Sequence, residues 1–240
     1  MSVLTLRLAG PLQSWGASAR FARRTTESAP TKSGVIGLLA AAAGIERGDD
    51  NKLRPLAALR FGVRIDQPGT RVRDFQTAHH GVTGKSMPLS NRFYLADAVF
   101  LAALEGDHRL LAELHAALLA PVYAPFLGRR SCPPSLPRRA PPPRPRRSAG
   151  RFARGTVAGI AWYRRQYRGQ NDVELTVLRE ADAHEQNTAD TLRDQPLSFA
   201  AEHRRHALRT QVSYSVRIPN PSARQLPRHD PFDALDEESA

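Results

Sequence analysis

The most chemically distinctive segment of the sequence is a short basic turn. Residues 126–134 read FLGRRSCPP, so Phe126 and a glycine precede two arginines, Arg129 and Arg130. Glycine lets a backbone approach a ligand closely, while the planar guanidinium group of arginine matches the oxygens of a phosphate. A solvated loop with two surface arginines explains the same composition equally well, so the segment alone leaves both interpretations open.

A second candidate segment leaves the first apolar run through a Gly-Pro turn and then presents the amide of Gln13 and the indole of Trp15. An indole can stack on a nucleic-acid base. A tryptophan directly after a strand is more often a core residue, so both roles are kept for Trp15.

A helix amino terminus supplies a third candidate. Residues 30–34 read PTKSG, and Thr31 or Ser33 can cap a helix that runs to about residue 45. Lys32 stands beside this amino terminus, and backbone amides at such a position favour phosphate.

Residues 70–91 are polar and basic, with Arg73, His79, His80 and Lys85 among them. Histidine titrates near neutral pH, so this group is compatible with metal-free cleavage of RNA by a general acid and a general base. Adjacent histidines point to opposite sides of an extended chain, which makes the pair a weak signal. So long an excursion within a compact domain is usually functional or disordered.

Several classes of site are not indicated. There is no phosphate-binding loop with a lysine, no GxSxG and no HExxH, and Cys132 is the only cysteine, which excludes an internal disulfide and a cysteine zinc site. The acidic residues nowhere form the compact cluster that a two-metal nuclease needs. We therefore expect no metal and no cofactor, no membrane segment, and a reducing cytoplasmic setting.

The charge of the 240-residue chain favours a polyanionic partner. The formal net charge is +12 and the sequence pI is near 11.0. Nucleic acid is the commonest partner for such a protein, although charge alone does not separate RNA from DNA or from an anionic membrane. Residues 138–154 hold seven of the arginines and no acidic residue.

The elements that must position these residues follow from periodicity. Apolar alternation predicts strands over residues 3–8 and 59–65, a third strand over 93–104, and a helix over 108–119 after it. With the helix after residue 31, this order begins an α+β, ferredoxin-like unit, an architecture shared with many RNA-binding domains. The closing strand is hard to find, and residues 174–178 and 211–218 predict a β-rich carboxy-terminal part.

Four segments together resemble a known family. They are LRLAGPLQSWG at residues 6–16, PTKSG at 30–34, RFYLADA at 92–98 and LGRRSCP at 127–133. Their order and spacing resemble the Cas-five family of CRISPR-associated proteins, within the RAMP superfamily, in the version found in type I-E Cascade complexes. The resemblance extends over residues 3–137 and returns weakly from about residue 162 to 221.

The resemblance implies a ferredoxin-like (RRM-like) domain with an inserted β-hairpin thumb at about residues 70–91. It also implies a non-catalytic subunit that caps the 5′ handle of the guide RNA beside the backbone and large subunits of Cascade and meets target DNA indirectly. The residues expected to contact RNA are Gln13, Trp15, Lys32, Arg73, Arg92, Phe126, Arg129 and Arg130.

The sequence departs from the family pattern after residue 137, and this sets the expected division of the chain. We predict a ferredoxin-like domain over residues 1–137, an atypical Arg/Pro-rich stretch over 138–161, a β-rich part over 162–221 and an acidic tail over 222–240. The atypical stretch is either an out-of-frame reading of a GC-rich gene or a disordered basic arm that grips RNA without sequence preference.

Two other functions stay open at this point. A metal-independent endoribonuclease that processes CRISPR repeat RNA would depend on His79, His80 or Lys85. A generic basic RNA-binding protein would bind any RNA, with an affinity that falls steeply as salt rises.

Overall fold

The computed structural model describes residues 1–17, 23–135, 144–145 and 170–220. Residues 138–161, apart from the two-residue strand at 144–145, and the predicted tail at 222–240 therefore lie outside the described residues. In chain order the strands are β1 (Ser2–Ala9), β2 (Leu12–Gln13), β3 (Arg23–Arg24), β4 (Arg60–Gln67), β5 (Thr70–Gln76), β6 (Ser90–Ala96), β7 (Val99–Gly106), β8 (Arg144–Pro145), β9 (Asp172–Glu180), β10 (Asp190–Ser198) and β11 (Arg205–Pro219).

The main sheet is antiparallel and has the order β10-β11-β9-β4-β7-β1-β8 within the described residues. Its first strand shows why the sequence pattern is informative. Leu4, Leu6 and Leu8 are buried as predicted, while Arg7 points to solvent. Side chains of a strand alternate between its two faces, so one face of β1 lies in the core.

Three helices, α1 (Lys32–Ala42), α2 (Asp50–Ala57) and α3 (His108–Leu119), occur in the described residues. The side chain of Thr31 caps α1 by accepting from the amide of Gly34, as the sequence predicts. Asp107 caps α3 by accepting from the amide of Leu110, and the range of α3 matches the prediction. Helix α2 was not predicted, because it is only eight residues long and contains a proline.

The single strand predicted over residues 93–104 is wrong. The segment forms β6 and β7, which belong to different sheets. Asp97 lies between them with a backbone φ of 56°, and its amide donates to the carbonyl of Pro11 at 3.1 Å. Aspartate tolerates this left-handed conformation better than most residues, so an apolar run that reads as continuous changes sheet at a single polar residue.

The polar excursion forms an ordered hairpin. Strands β5 and β6 pair in antiparallel register from Thr70 opposite Ala96 to Gln76 opposite Ser90. An isolated bridge between His79 and Ser86 continues the pairing toward the tip. The hairpin joins β2 and β3 in a second, smaller sheet.

The carboxy-terminal strands extend the main sheet. Strand β9 pairs with β4 from Gly62 opposite Arg179 to Ile65 opposite Thr176. Asp194 on β10 forms a buried ion pair with Arg209 on β11, with a donor–acceptor distance of 2.8 Å. Asp194 also accepts from the backbone amide of Lys32 at 2.7 Å, which ties β10 to the start of α1. No helix in the described parts of the chain is long and apolar enough to cross a membrane.

Candidate nucleic-acid interface

The basic turn is held rigidly against the start of the chain. Gly128 has a φ of +84°, and a Cβ atom there would collide with the carbonyl oxygen of Ser14. The amide of Ser14 donates to the carbonyl of Leu127 at 3.0 Å, and the amide of Leu127 donates to the carbonyl of Cys132 at 2.8 Å. Only glycine satisfies both the backbone angle and the close approach at residue 128.

Trp15 and Gln13 lie in the core, and neither side chain reaches solvent. A Cβ atom on Gly34 would lie 2.7 Å from the indole Cε3 atom, so the ring packs directly on helix α1. The indole nitrogen donates to the Gln13 amide oxygen at 3.1 Å, and the Gln13 nitrogen donates to the carbonyl of Ala98 at 2.7 Å. Both polar groups are satisfied inside the protein, so the core interpretation of Trp15 fits this geometry and both residues leave the set that faces a ligand.

Lys32 is also buried, although it stands at a helix amino terminus. Its ammonium group lies 2.8 Å from a carboxylate oxygen of Glu180, and its side chain is 4% exposed. Burial lowers the pKa of Lys32, while the neighbouring Glu180 acts in the opposite direction. The charge of Lys32 is therefore directed at a carboxylate within the protein and not at the surface.

Arg129 holds a neighbouring segment in place. Its Nη2 atom donates to the carbonyl of Arg24 at 2.8 Å and lies 3.4 Å from the carbonyl of Thr25. The guanidinium carbon lies 4.9 Å from the centre of the Tyr94 ring, which adds a cation–π contact. The Nη1 atom is buried and has no hydrogen-bond partner among the described residues.

The remaining predicted residues divide into two groups. Arg130 is exposed, and Phe126 and Arg92 are half-buried; all three line one cleft. Arg73 is exposed on β5, opposite Phe93 in the register, and is not part of the cleft lining.

The cleft is large and strongly basic. Its volume is about 1340 Å³, which exceeds the ~300–1,000 Å³ that is common for small-molecule sites. Its floor is a face of α1 with small side chains at helical spacing, Ser33, Gly34, Gly37, Ala40 and Ala41. Three carboxylates, Glu46, Asp49 and Asp50, line it against six arginines: Arg24, Arg47, Arg92, Arg129, Arg130 and Arg204.

Comparison with known proteins identifies the family. The family model described as CRISPR-associated protein (Cas_Cas5) matches residues 3–212. The chain belongs to the Cas_Cas5 family. It is 39% identical over 150 residues to the CRISPR system Cascade subunit CasD of Escherichia coli (strain K12), a match that covers 55% of this chain and 67% of that relative.

Solved structures agree with the Cas_Cas5 assignment. A chain of a CRISPR RNA-guided surveillance complex is 29% identical, with a TM-score of 0.73 and coverage of 98% of both chains. A second solved structure, described as a Cas protein, is 35% identical, with a TM-score of 0.57 and coverage of 94% of this chain and 99% of that one.

Sequence reasoning missed three arginines of this Cas_Cas5 cleft: Arg24, Arg47 and Arg204. Each lies in a loop or a two-residue strand, where no sequence periodicity predicts which way the side chain points. Arg24 follows the first segment of resemblance, but the contacts to its backbone come from β6, where it lies opposite Arg92, and from Arg129, 105 residues later in the chain. Only the folded chain brings these residues to the same cleft.

The candidate catalytic residues lie at the exposed hairpin tip, away from the cleft lining. The Nδ1 atom of His80 lies 3.3 Å and 3.2 Å from the amides of Val82 and Thr83, and accepts from them. The Nδ1 atom of His79 lies 3.2 Å from the carbonyl of Gly84. These contacts shape the turn and give the two imidazoles a local structural role.

Proposed function

We propose that this chain is a non-catalytic subunit of a type I-E CRISPR Cascade complex that binds and caps the 5′ handle of the guide RNA. The observation that carries the proposal is the arginine-lined cleft of a Cas_Cas5 family member. The resemblance to a Cascade subunit and to a chain of an RNA-guided surveillance complex supports the same function.

The cleft has the chemistry that single-stranded RNA requires. Arginine side chains at Arg24, Arg92 and Arg130 match phosphate oxygens, and Phe126 offers a ring beside them. Stacking of a base on such a ring contributes about 1–3 kcal/mol. The small side chains of the α1 floor leave space for a nucleic-acid backbone.

The topology supports the finer interpretation of the fold. Strands β8, β1, β7 and β4 are neighbours in that order, with α1 between β1 and β4 and α3 after β7. This is the order of a ferredoxin-like unit, with β8 as its closing strand. We interpret the β5–β6 hairpin as the inserted thumb. With β8 as the closing strand, we propose that the ferredoxin-like domain extends beyond the predicted boundary at residue 137 to include residues 144–145.

The partners follow from the same proposal. A Cascade subunit that holds the guide RNA contacts the backbone and large subunits, and it meets target DNA through the guide. The complex acts where guide RNA is made, so we propose that the protein works in the cytoplasm.

Retention and cleavage of labelled repeat RNA in the absence of metal test this function. The proposal predicts that the wild-type protein retains the RNA intact. It also predicts that Arg130→Ala and Arg92→Ala each weaken this retention. Arg109→Ala is the matched control, because Arg109 lies on α3, pairs with Glu113 and is 90% exposed. A discrete product that disappears in His79→Ala or His80→Ala would establish an endoribonuclease instead.

A further inference from the structure

One wall of the cleft is built from two connections that are joined to each other. One connection links α1 to α2 and carries Arg47, and the other links β10 to β11 and carries Arg204. Arg205 at the start of β11 and Asp50 at the start of α2 lie 3.7 Å apart, which joins the ends of the two connections. The side-chain nitrogen of Gln195 also donates to the carbonyl of Ala57 at 2.8 Å. These contacts give the wall a defined shape without any ligand.

Two arginines, Arg47 and Arg204, line this wall. Partial burial lowers the pKa of Arg204, and the nearby Arg47 lowers it further. Neither arginine forms an ion pair with a carboxylate among the described residues, whereas Asp49 is paired with Lys52. Unpaired like charges in a cleft repel each other, and an anion between them removes this repulsion.

The two arginines share the cleft lining with the carboxylates Glu46, Asp49 and Asp50 and with the rings of Phe199 and His206. Phe199 packs over the floor, since a Cβ atom on Gly37 would lie 3.8 Å from its ring. The ring of His206 lies 6.2 Å from that of Phe199, and burial lowers the pKa of His206, with Arg204 acting in the same direction. Asp194 acts on the pKa of His206 in the opposite direction.

We propose that Arg47 and Arg204 form a second phosphate-binding subsite, which takes a phosphodiester group of the same RNA strand that contacts Arg130 elsewhere in the cleft. The subsite rests on the proposed RNA-binding function. RNA is favoured over an acidic protein segment because its phosphates repeat at every nucleotide, so one strand engages both this subsite and Arg130 in the same cleft.

The salt dependence of the RNA-binding constant reports how many phosphates the protein contacts. For a single strand, the slope of log K against log salt changes by about 0.7 for each phosphate contact that is lost. Single-stranded repeat RNA would be titrated at several salt concentrations with four full-length proteins. They are wild type, Arg47→Ala, Arg204→Ala and the double variant. Arg109→Ala is the control for loss of one positive charge outside the cleft, and thermal melting checks that each variant is folded.

We expect each single substitution, like the double substitution, to make the slope shallower by about 0.7, because the two arginines hold one phosphate and loss of either releases it. The subsite would be overturned if both single variants gave the same slope as wild type and Arg109→Ala while Arg130→Ala made the slope shallower. That result would leave the proposed function intact. A wild-type protein that binds no RNA would instead overturn the proposed function. Binding of polyglutamate that depends on Arg47 and Arg204, with an unchanged slope for RNA, would assign the wall to an acidic protein segment.

Discussion

The guanidinium group of Arg129 donates a 2.8 Å hydrogen bond to the backbone carbonyl of Arg24. One of the two arginines in the basic turn at residues 126–134 therefore binds the backbone of the protein itself. Arg130, the next residue, is exposed at the cleft. Two adjacent arginines thus have different tasks, one positioning Arg24 and the other facing the proposed RNA.

This division of tasks predicts coupling between Arg129 and Arg24. Arg129→Ala should weaken RNA binding largely by releasing the segment that carries Arg24. A double-mutant cycle on RNA affinity should therefore give a coupling energy of about 0.5–3 kcal/mol for Arg129→Ala with Arg24→Ala. The Arg130→Ala and Arg24→Ala pair should be additive, because no hydrogen bond or ion pair joins the two residues in the described part of the chain. Additive effects for both pairs would contradict a positioning role for Arg129.

Gly128 is expected to be intolerant of any side chain. Gly128→Ala places a methyl group against the carbonyl of Ser14 at a positive φ, so we expect a loss of about 1–3 kcal/mol in the free energy of unfolding. Gly81→Ala is the matched control, because nothing lies within 4 Å of its Cβ position. Urea denaturation of both variants measures the difference, and equal stabilities would mean that the turn relaxes without cost.

The buried pair of Asp194 and Arg209 should be essential for stability. Asp194→Asn leaves the charge of Arg209 buried without a counter-charge, and such a change costs about 3–5 kcal/mol. The surface pair of Arg109 and Glu113 provides the comparison, since Glu113→Ala should change the free energy of unfolding by no more than about 0.5 kcal/mol. Similar losses in both variants would show that the pair does not act as a buried ion pair.

Glu185 should contribute to the stability of the protein in acid. Its hydrogen bond to Arg179 lowers the pKa of Glu185 from 4.5 to about 2 in the folded state. Because the folded state favours the carboxylate, this contribution is complete above pH 4.5 and is lost as the pH falls toward 2. The stability difference between wild type and Glu185→Gln should follow that window in urea denaturation. A difference that stays constant from pH 6 to pH 2 would contradict the assignment.

Much of the fold could be predicted from local patterns. The alternation of Leu4, Leu6 and Leu8 predicts a half-buried strand and the apolar period of residues 108–119 predicts a helix, and both are present. The predictions failed where tertiary contacts decide the structure. The left-handed backbone of Asp97 divides an apolar run, and α2 has too few turns to show a period.

The motifs of resemblance have a structural explanation that the sequence could not reveal. Trp15, Gly34 and Gly128 belong to three different motifs, and the indole packs against both glycines. Residues chosen as RNA ligands from motif membership, such as Trp15 and Lys32, are therefore buried. Arg130 and Phe126 reach the cleft because they lie on a turn whose neighbours already satisfy its backbone.

Crosslinking tests the central claim most directly. The full chain would be assembled with guide RNA and the other Cascade subunits, irradiated with ultraviolet light, and digested to map the linked nucleotides and residues. The proposed function predicts crosslinks from the 5′ handle to residues 123–126, where Tyr123 and Phe126 line the cleft. Handle crosslinks confined to the hairpin tip at residues 77–89, or crosslinks of residues 123–126 only to the 3′ end of the guide, would contradict it.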